Sequence, residues 1–264
     1  MYYLILIIII FALGYSKKIE VTYTNIHTDK INGEVKIALI ADLHSCFYGE
    51  NMKELLTPLL NEEVDFILNV GDMYDGRVTP INSTKYFKGI MDIPSFYTSG
   101  NHETYRRRDK KIKKEIRKLN TIVLEGEQRR INIRGNIINI CGIDDKNIGD
   151  NEFEKQFYNA LKNKDENFTI LMYHRPHEIK LFKESEVDLV VSGHAHGGQW
   201  RIPLLNIGIF APGQYFFARY INGLYKLNDK TKLFVTRGLA RESVKVPRLY
   251  NRPEISIIKL KGID

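Results

Sequence analysis

Five runs of β-branched and aliphatic residues punctuate the chain: Val35–Ile40, Val64–Val70, Pro94–Thr98, Phe168–Met172 and Val187–Val191. Largely apolar runs of this length read as strands buried on both faces, as in a mostly parallel sheet. Between them, patterns of helical period predict helices near Asn51–Leu60, Ser83–Met91, Arg106–Leu119, Glu152–Lys162 and Glu178–Lys183. Thr121–Leu124, Arg129–Ile133 and Ile137–Cys141 read as a meander turning around Gly126 and Gly135. Lys18–Ile26 reads as an edge strand, with Asp29–Gly33 as the turn into the first core strand. A second set of strands is expected at Leu204–Pro212, Gly223–Leu227, Lys232–Thr236 and Glu254–Leu260. No repeat and no linker divides the body, and the mixture of periods points to an α/β class with helices outside packed sheets.

The amino terminus follows another pattern. Tyr2–Leu13 carries no charge and is dominated by Ile and Leu, and Gly14-Tyr15-Ser16-Lys17-Lys18 follows. A helix over Met1–Tyr15 would span roughly 22 Å, short of the ~30 Å hydrocarbon core. Bilayer thinning, with Tyr2, Tyr3 and Tyr15 at the interfaces, covers the difference. No Lys or Arg precedes the run and no Ala-x-Ala follows it, so a membrane anchor over residues 1–16 is expected rather than a cleaved signal peptide. Residues 17–34 then form a juxtamembrane lead-in and residues 35–264 the body. Lys17 and Lys18 favour a cytoplasmic domain held at the cell membrane.

Composition adds a moderate cationic bias: 264 residues with a formal charge of +7, suited to an anionic membrane, a phosphorylated substrate or nucleic acid. Cys46 and Cys141 are the only cysteines, too few for a bridged framework or a thiolate metal site. Cys46 is expected to pack. Arg106–Lys118 contains nine Lys or Arg. With Ile112, Ile116 and Leu119 at helical spacing it reads as a helix with one apolar stripe and a cationic face, either plainly solvated or in contact with anionic lipid. The aromatics of Gln214–Tyr225 are expected to pack in the core.

Candidate chemistry sits at the strand ends. The five apolar runs lead into Asp42-Leu43-His44, Gly71-Asp72-Met73-Tyr74-Asp75, Gly100-Asn101-His102-Glu103, Tyr173-His174 and Ser192-Gly193-His194-Ala195-His196. Ligands collect outside the carboxyl ends of parallel strands, so these residues can form one cluster. A cluster of carboxylate, amide and imidazole donors without thiolate suits Mn, Fe, Zn or Co. Five of the seven histidines fall in these motifs; His27 and His177 are read as packing or surface. Gly71, Gly100 and Gly193 stand where tight backbone turns are needed, and Gly197-Gly198 either faces a phosphate with its amides or makes a simple turn.

In this order and spacing, from about Val35 to His196, the motifs resemble those of the calcineurin-like metallophosphoesterases. The stretch from Gly197-Gly198-Gln199 through Pro203, Pro212, Tyr220, Gly223-Leu224-Tyr225, Arg237-Gly238-Leu239 and Pro253-Glu254-Ile255 is similar to the family's membrane-linked bacterial branch of YkuE- and YaeI-like phosphodiesterases. The resemblance implies a four-layer α/β/β/α sandwich of two mixed sheets and two divalent metal ions. It makes Asp72 the bridging ligand, assigns Asp42, His44 and His196 to one ion and Asn101, His174 and His194 to the other, and makes His102 the general acid. Asp75 and Glu103 would orient an imidazole or a ligand from behind. The implied reaction is hydrolysis of a phosphodiester or pyrophosphate on a membrane- or envelope-associated substrate such as a UDP-diacylglucosamine-like lipid precursor. The twin-arginine signals of exported relatives are missing here. Two other readings are a nucleic-acid phosphodiesterase, which the anchor and the lack of an aromatic-basic platform disfavour, and a non-catalytic membrane scaffold that keeps a metal site.

Overall fold

The computed structural model describes residues 11–105, 109–203, 205, 207–241 and 246–263. Its strands are β1 (Glu20–Thr28), β2 (Glu34–Ile40), β3 (Phe66–Val70), β4 (Ser95–Thr98), β5 (Thr121–Val123), β6 (Glu127–Ile133), β7 (Asn136–Gly142), β8 (Phe168–Met172) and β9 (Leu189–Ser192). Short pairs follow, β10 (Arg201–Ile202) with β11 (Ile207–Gly208) and β12 (Phe210–Ala211) with β13 (Tyr215–Phe216), then β14 (Gly223–Lys226), β15 (Lys232–Val235) and β16 (Glu254–Gly262). One six-stranded sheet runs β1-β16-β2-β3-β4-β5 and the other β14-β15-β9-β8-β7-β6. Both are mixed: β2 to β5 and β15-β9-β8-β7 are parallel, while β16 against β2 and the two outer pairs of the second sheet are antiparallel.

Alternation along each buried strand divides the interior into three cores. Val35, Ile37 and Leu39 of β2 and Phe66, Leu68 and Val70 of β3 face Ile138, Ile140, Ile170 and Val191 of the other sheet. Their neighbours Ala38, Ile40 and Ile67 turn outward onto α1 (Lys53–Leu60) and α2 (Ile81–Gly89), through Leu55, Leu59, Tyr86 and Phe87. On the far side Cys141, Leu171, Val190 and Leu233 meet Phe153 and Phe182. The chain is therefore a four-layer α/β/β/α sandwich, with every strand of the parallel centre buried on both faces. Cys46 and Cys141 are buried and unbridged.

Two local expectations give way. The predicted meander does not form, because β5 ends the first sheet while β6 and β7 form a hairpin at the edge of the second. Leu124 donates its N–H to Tyr97 O of the first sheet, and Gly126, at φ 81°, donates to Gly142 O of the second. Glycine takes that left-handed conformation without a Cβ clash, so three residues carry the chain from one sheet to the other. The aromatics after Gln214 divide: Tyr220 and Tyr225 pack edge to face at 5.1 Å, whereas Tyr215, Phe216 and Phe217 are 74%, 69% and 68% exposed. Nothing among the described residues covers the two-residue strand β13.

Residues 1–10 of the expected anchor lie outside the described residues, and 11–14 form a helical turn. Among the described residues no helix is long and apolar enough to cross a membrane. Of the basic segment, 106–108 lie outside the described residues. The helices of this region are α3 (Asn101–Thr104) and α4 (Asp109–Arg117).

Lys113 on α4 does not face solvent. Its ammonium is 2.7 Å from Asp144 and 3.0 Å from Glu125, and Asp144 also accepts from Ser99 Oγ at 2.6 Å and Gln156 Nε2 at 3.1 Å. A buried carboxylate stripped of its cation is costly, so Lys113→Ala is expected to lower stability by about 3–5 kcal/mol. The check is a drop in the urea midpoint at unchanged denaturant slope.

Candidate metal centre

Parallel strands of both sheets end at the same edge of the sandwich, and their first loop residues are stitched together. Asp42 N–H donates to Gly71 O at 3.1 Å, His44 N–H to Asp72 O at 2.9 Å, and Gly193 N–H to His174 O at 3.0 Å. Asp42, His44, Asp72, His194 and His196 all hold left-handed backbone, with φ between 48° and 66°. Such residues cost about 1–3 kcal/mol each and gather where function fixes them. Gly238, also left-handed, passes so close to Asp42 that a Cβ would stand 2.4 Å from Oδ2. At Gly100 the constraint is space alone, since its φ is −99° and a Cβ would lie 2.3 Å from Asp72 Oδ1.

The side chains converge on Asp72. Its Oδ2 lies 3.2 Å from His174 Nε2, 3.7 Å from His44 Nε2 and 4.0 Å from His102 Nε2, while Oδ1 accepts the His102 N–H at 2.8 Å. Asp42 Oδ1 is 3.7 Å from His196 Nε2 and 3.9 Å from His44 Nε2, and the His194 N–H donates to Asp42 Oδ2 at 3.0 Å. Donor atoms of Asp42, His44 and His196 lie within 4.8 Å of one another, as do those of Asp72, His174 and His194. Asn101 opens α3 beside these groups with its Oδ1 buried and unpartnered.

Behind the donors, other groups set their orientation. His174 Nδ1 lies 2.9 Å from Val70 O and must carry a hydrogen there, so Nε2 is the nitrogen that would meet an ion in place of its proton. Glu103 gathers three backbone N–H groups: Asp72 at 3.0 Å, Gly100 at 2.9 Å and Tyr74 at 2.9 Å. It therefore braces two loops rather than an imidazole. Asp75 faces imidazoles instead, with Oδ2 3.7 Å from the Nδ1 of both His44 and His102, and pairs with Arg77 at 2.6 Å. Glu103→Gln would present one acceptor where the carboxylate offers two. Metal affinity is expected to fall about 10–100-fold, measured by competition with a chromophoric chelator while the circular dichroism stays unchanged.

The charges favour a cation. Burial opposes a proton on His174, but Asp72 and Asp42 outweigh it and raise the imidazole to about 10. Burial would lift Asp72, yet His174 and His44 hold it well below the carboxylate range. Asp42 is pushed up to about 6 by burial, against the pull of His174. Burial, joined by Asp72, brings Glu103 to about 7. His194 and His196 are driven well down, first by burial and then by neighbouring cations. His44 Nε2 and Asn101 Oδ1 are buried without hydrogen-bond partners, an arrangement that is costly unless something else meets them. Oxygen and imidazole donors gathered in this way fit divalent ions of the Mn, Fe, Co and Zn type, whose charge would replace the proton on His174.

A cavity of about 450 Å³ opens over this cluster. His44, His102, His196 and Arg77 form one side, and Trp200, Ile209, Phe210, Pro212, Phe216 and Val246 the apolar side. All seven candidate ligands thus reach one edge, with His102, Asp75 and Glu103 beside them. His177, read as packing or surface, stands 6.1 Å ring to ring from His194. His27 lies at the opposite end of the sandwich, near the close of β1.

Sequence reasoning passed over several supports. Asp145 forks onto Arg175, the residue after His174, at 2.7 and 2.8 Å. Asp144 and Asp145 end β7 as Asp42 ends β2, so the same apolar-run signature marks them. Asn251, donating to His196 O at 2.7 Å and Gln199 O at 3.0 Å, and buried Arg248, donating to Ala240 O and Arg237 O, carry no local signal.

A sequence model described as calcineurin-like phosphoesterase matches residues 35–198. An uncharacterized metallophosphoesterase of Helicobacter pylori (strain ATCC 700392 / 26695) is 32% identical over 231 residues, covering 83% of this chain and 58% of the relative. The chain thus spans less than two thirds of that relative's length. The uncharacterized metallophosphoesterase YkuE of Bacillus subtilis is 25% identical, with 87% and 80% covered. Among solved structures, a 5'-nucleotidase precursor from Thermus thermophilus shares the fold at a TM-score of 0.52 and 12% identity, with 86% and 54% covered.

Proposed function

The chain belongs to the calcineurin-like phosphoesterases, and from that premise we propose that it hydrolyses phosphodiesters or pyrophosphates with two divalent metal ions. The observation that carries this reading is Asp72 Oδ2, which faces His44 Nε2 of one donor group and His174 Nε2 of the other. Asp42, His44 and His196 would hold one ion and Asn101, His174 and His194 the other, with Asp72 shared. When bound, such a pair lowers the pKa of a water and clamps phosphate oxygens. His102, half-buried on the cavity side, delivers a proton to the leaving oxygen. Asp75 steadies the far nitrogens of His44 and His102, and Arg77 completes that wall.

The substrate we favour is amphiphilic, with its phosphate at the histidines and its apolar part against Trp200, Phe210 and Phe216; a lipid-linked pyrophosphate such as a UDP-diacylglucosamine-like precursor has this character. An N-terminal anchor over residues 1–16 would hold the domain at such a substrate. Exposed Lys110, Lys111 and Lys114 of α4 would add contact with anionic lipid. Nucleic acid is not an expected substrate.

The test is hydrolysis of bis(p-nitrophenyl) phosphate and p-nitrophenyl phosphate by metal-stripped protein, then after adding Mn, Co, Zn or Mg. Diester turnover is expected only with metal restored. Equal turnover with and without metal would overturn the reading.

A further inference from the structure

We propose that the apolar rim beside the cavity, built from the β10–β11 and β12–β13 hairpins, docks into the interfacial layer of the lipid bilayer. The proposal rests on the membrane placement proposed above and adds a second contact, made by the catalytic domain itself.

Four observations converge. Tyr215 and Phe217 are about three-quarters and two-thirds exposed, and Leu205 is 53% exposed. Exposed aromatic and aliphatic side chains grouped in this way mark an interaction surface. The hairpins form one unit, since Ile209 donates to Trp200 O at 2.8 Å and accepts from the Phe217 N–H at 3.0 Å. The described chain begins at the same place: the Phe11 ring meets Trp200 edge to face at 5.9 Å, and Leu13 is 75% exposed.

Charge selects the occupant. From Trp200 to Phe217 the chain holds no Asp or Glu and one cation, Arg201, with Arg219 two residues further on. An apolar, aromatic face built from hairpins without a carboxylate of their own fits the interface of an anionic bilayer, where amphipathic rings settle at headgroup depth. Other side chains of the same hairpins form the cavity wall, where Phe210 and Phe216 meet edge to face at 5.7 Å. Docking would turn the cavity mouth toward the lipid, so an amphiphilic phosphoester reaches the histidines without its apolar part crossing water.

Trp200 is the chain's single tryptophan and reports on this rim. The experiment reconstitutes the full chain into phosphatidylcholine–phosphatidylglycerol vesicles brominated on the upper acyl chain, then reads vesicle flotation and Trp200 quenching. The wild type is expected to float with Trp200 quenched. The Tyr215→Ser/Phe217→Ser double variant is expected to float equally, keep bis(p-nitrophenyl) phosphate hydrolysis and lose more than half of the quenching. Equal quenching in both proteins overturns the proposal, because Phe11 alone then sets the depth of Trp200. Absence of quenching in a floated wild type overturns it while leaving the anchor standing, and a chain that does not float removes both. A wild-type dimer in detergent that the double variant dissociates would give the face to a second copy and overturn it too.

Discussion

Asp72→Ala is expected to lower kcat/KM for bis(p-nitrophenyl) phosphate by a factor on the order of 10³ or more. Both donor groups meet at this one carboxylate, whose Oδ2 has three imidazole Nε2 atoms within 4.0 Å. Removing it takes the shared anion from both sides at once. It also removes the acceptor of the His102 N–H, so the start of α3 loses one of its ties to the loop after β3 and keeps the one through Glu103. Metal bound per chain, measured by inductively coupled plasma mass spectrometry, should fall together with activity. Asp72→Asn separates charge from shape, because it keeps the volume and an acceptor for His102 N–H but not the negative charge. If charge is what matters, Asp72→Asn will bind metal almost as poorly as Asp72→Ala. Metal content and turnover like those of the wild type in both variants would leave the two-ion reading without its centre.

The layer order and the strand ends were legible because each depends on short stretches of chain. Val35–Ile40 and Phe168–Met172 are apolar at almost every position, which only a strand covered on both faces demands. Asp42 and His174 then mark where burial in that form ends. Long-range choices were not legible. The alternation in Thr121–Leu124 and Arg129–Ile133 says that both are strands, but not that Gly126 sends them into different sheets. Lys113 looks like one more cation in a basic run, and only the approach of Asp144 from the second sheet buries it. Tyr215, Phe216 and Phe217 have the composition of a core strand, and it is the lack of a described partner layer over β13 that exposes them. Glu103 was legible as a support but not in its role, since its three partners are backbone N–H groups, which every residue but proline carries. The brace on His196 was invisible for a similar reason: Asn251 acts on backbone oxygens from 55 residues away.

His102→Gln should split substrates by leaving group. The His102 ring lines the cavity with a quarter of its side chain exposed, its Nε2 4.0 Å from Asp72 and its Nδ1 3.7 Å from Asp75. It therefore stands between two carboxylates at the cavity wall, while its neighbour Asn101 keeps a buried, unpartnered oxygen. As the proposed general acid it would act on the departing oxygen, and the benefit of a general acid is about 10²–10⁴-fold. That benefit matters only where the departing oxygen needs a proton. A p-nitrophenolate leaves readily without one, whereas an alkoxide does not, so the loss in kcat should be much larger for an alkyl phosphodiester than for bis(p-nitrophenyl) phosphate. Metal content should hold, because the two donor groups close without His102. The opposite reading makes His102 a ligand, since its ring, His44 and Asp75 also offer donor atoms within 4.8 Å of one another. In that case His102→Gln would lower metal content and slow both substrates alike. The ratio of the two losses, measured beside the metal content of the same preparation, decides between a proton donor and a ligand.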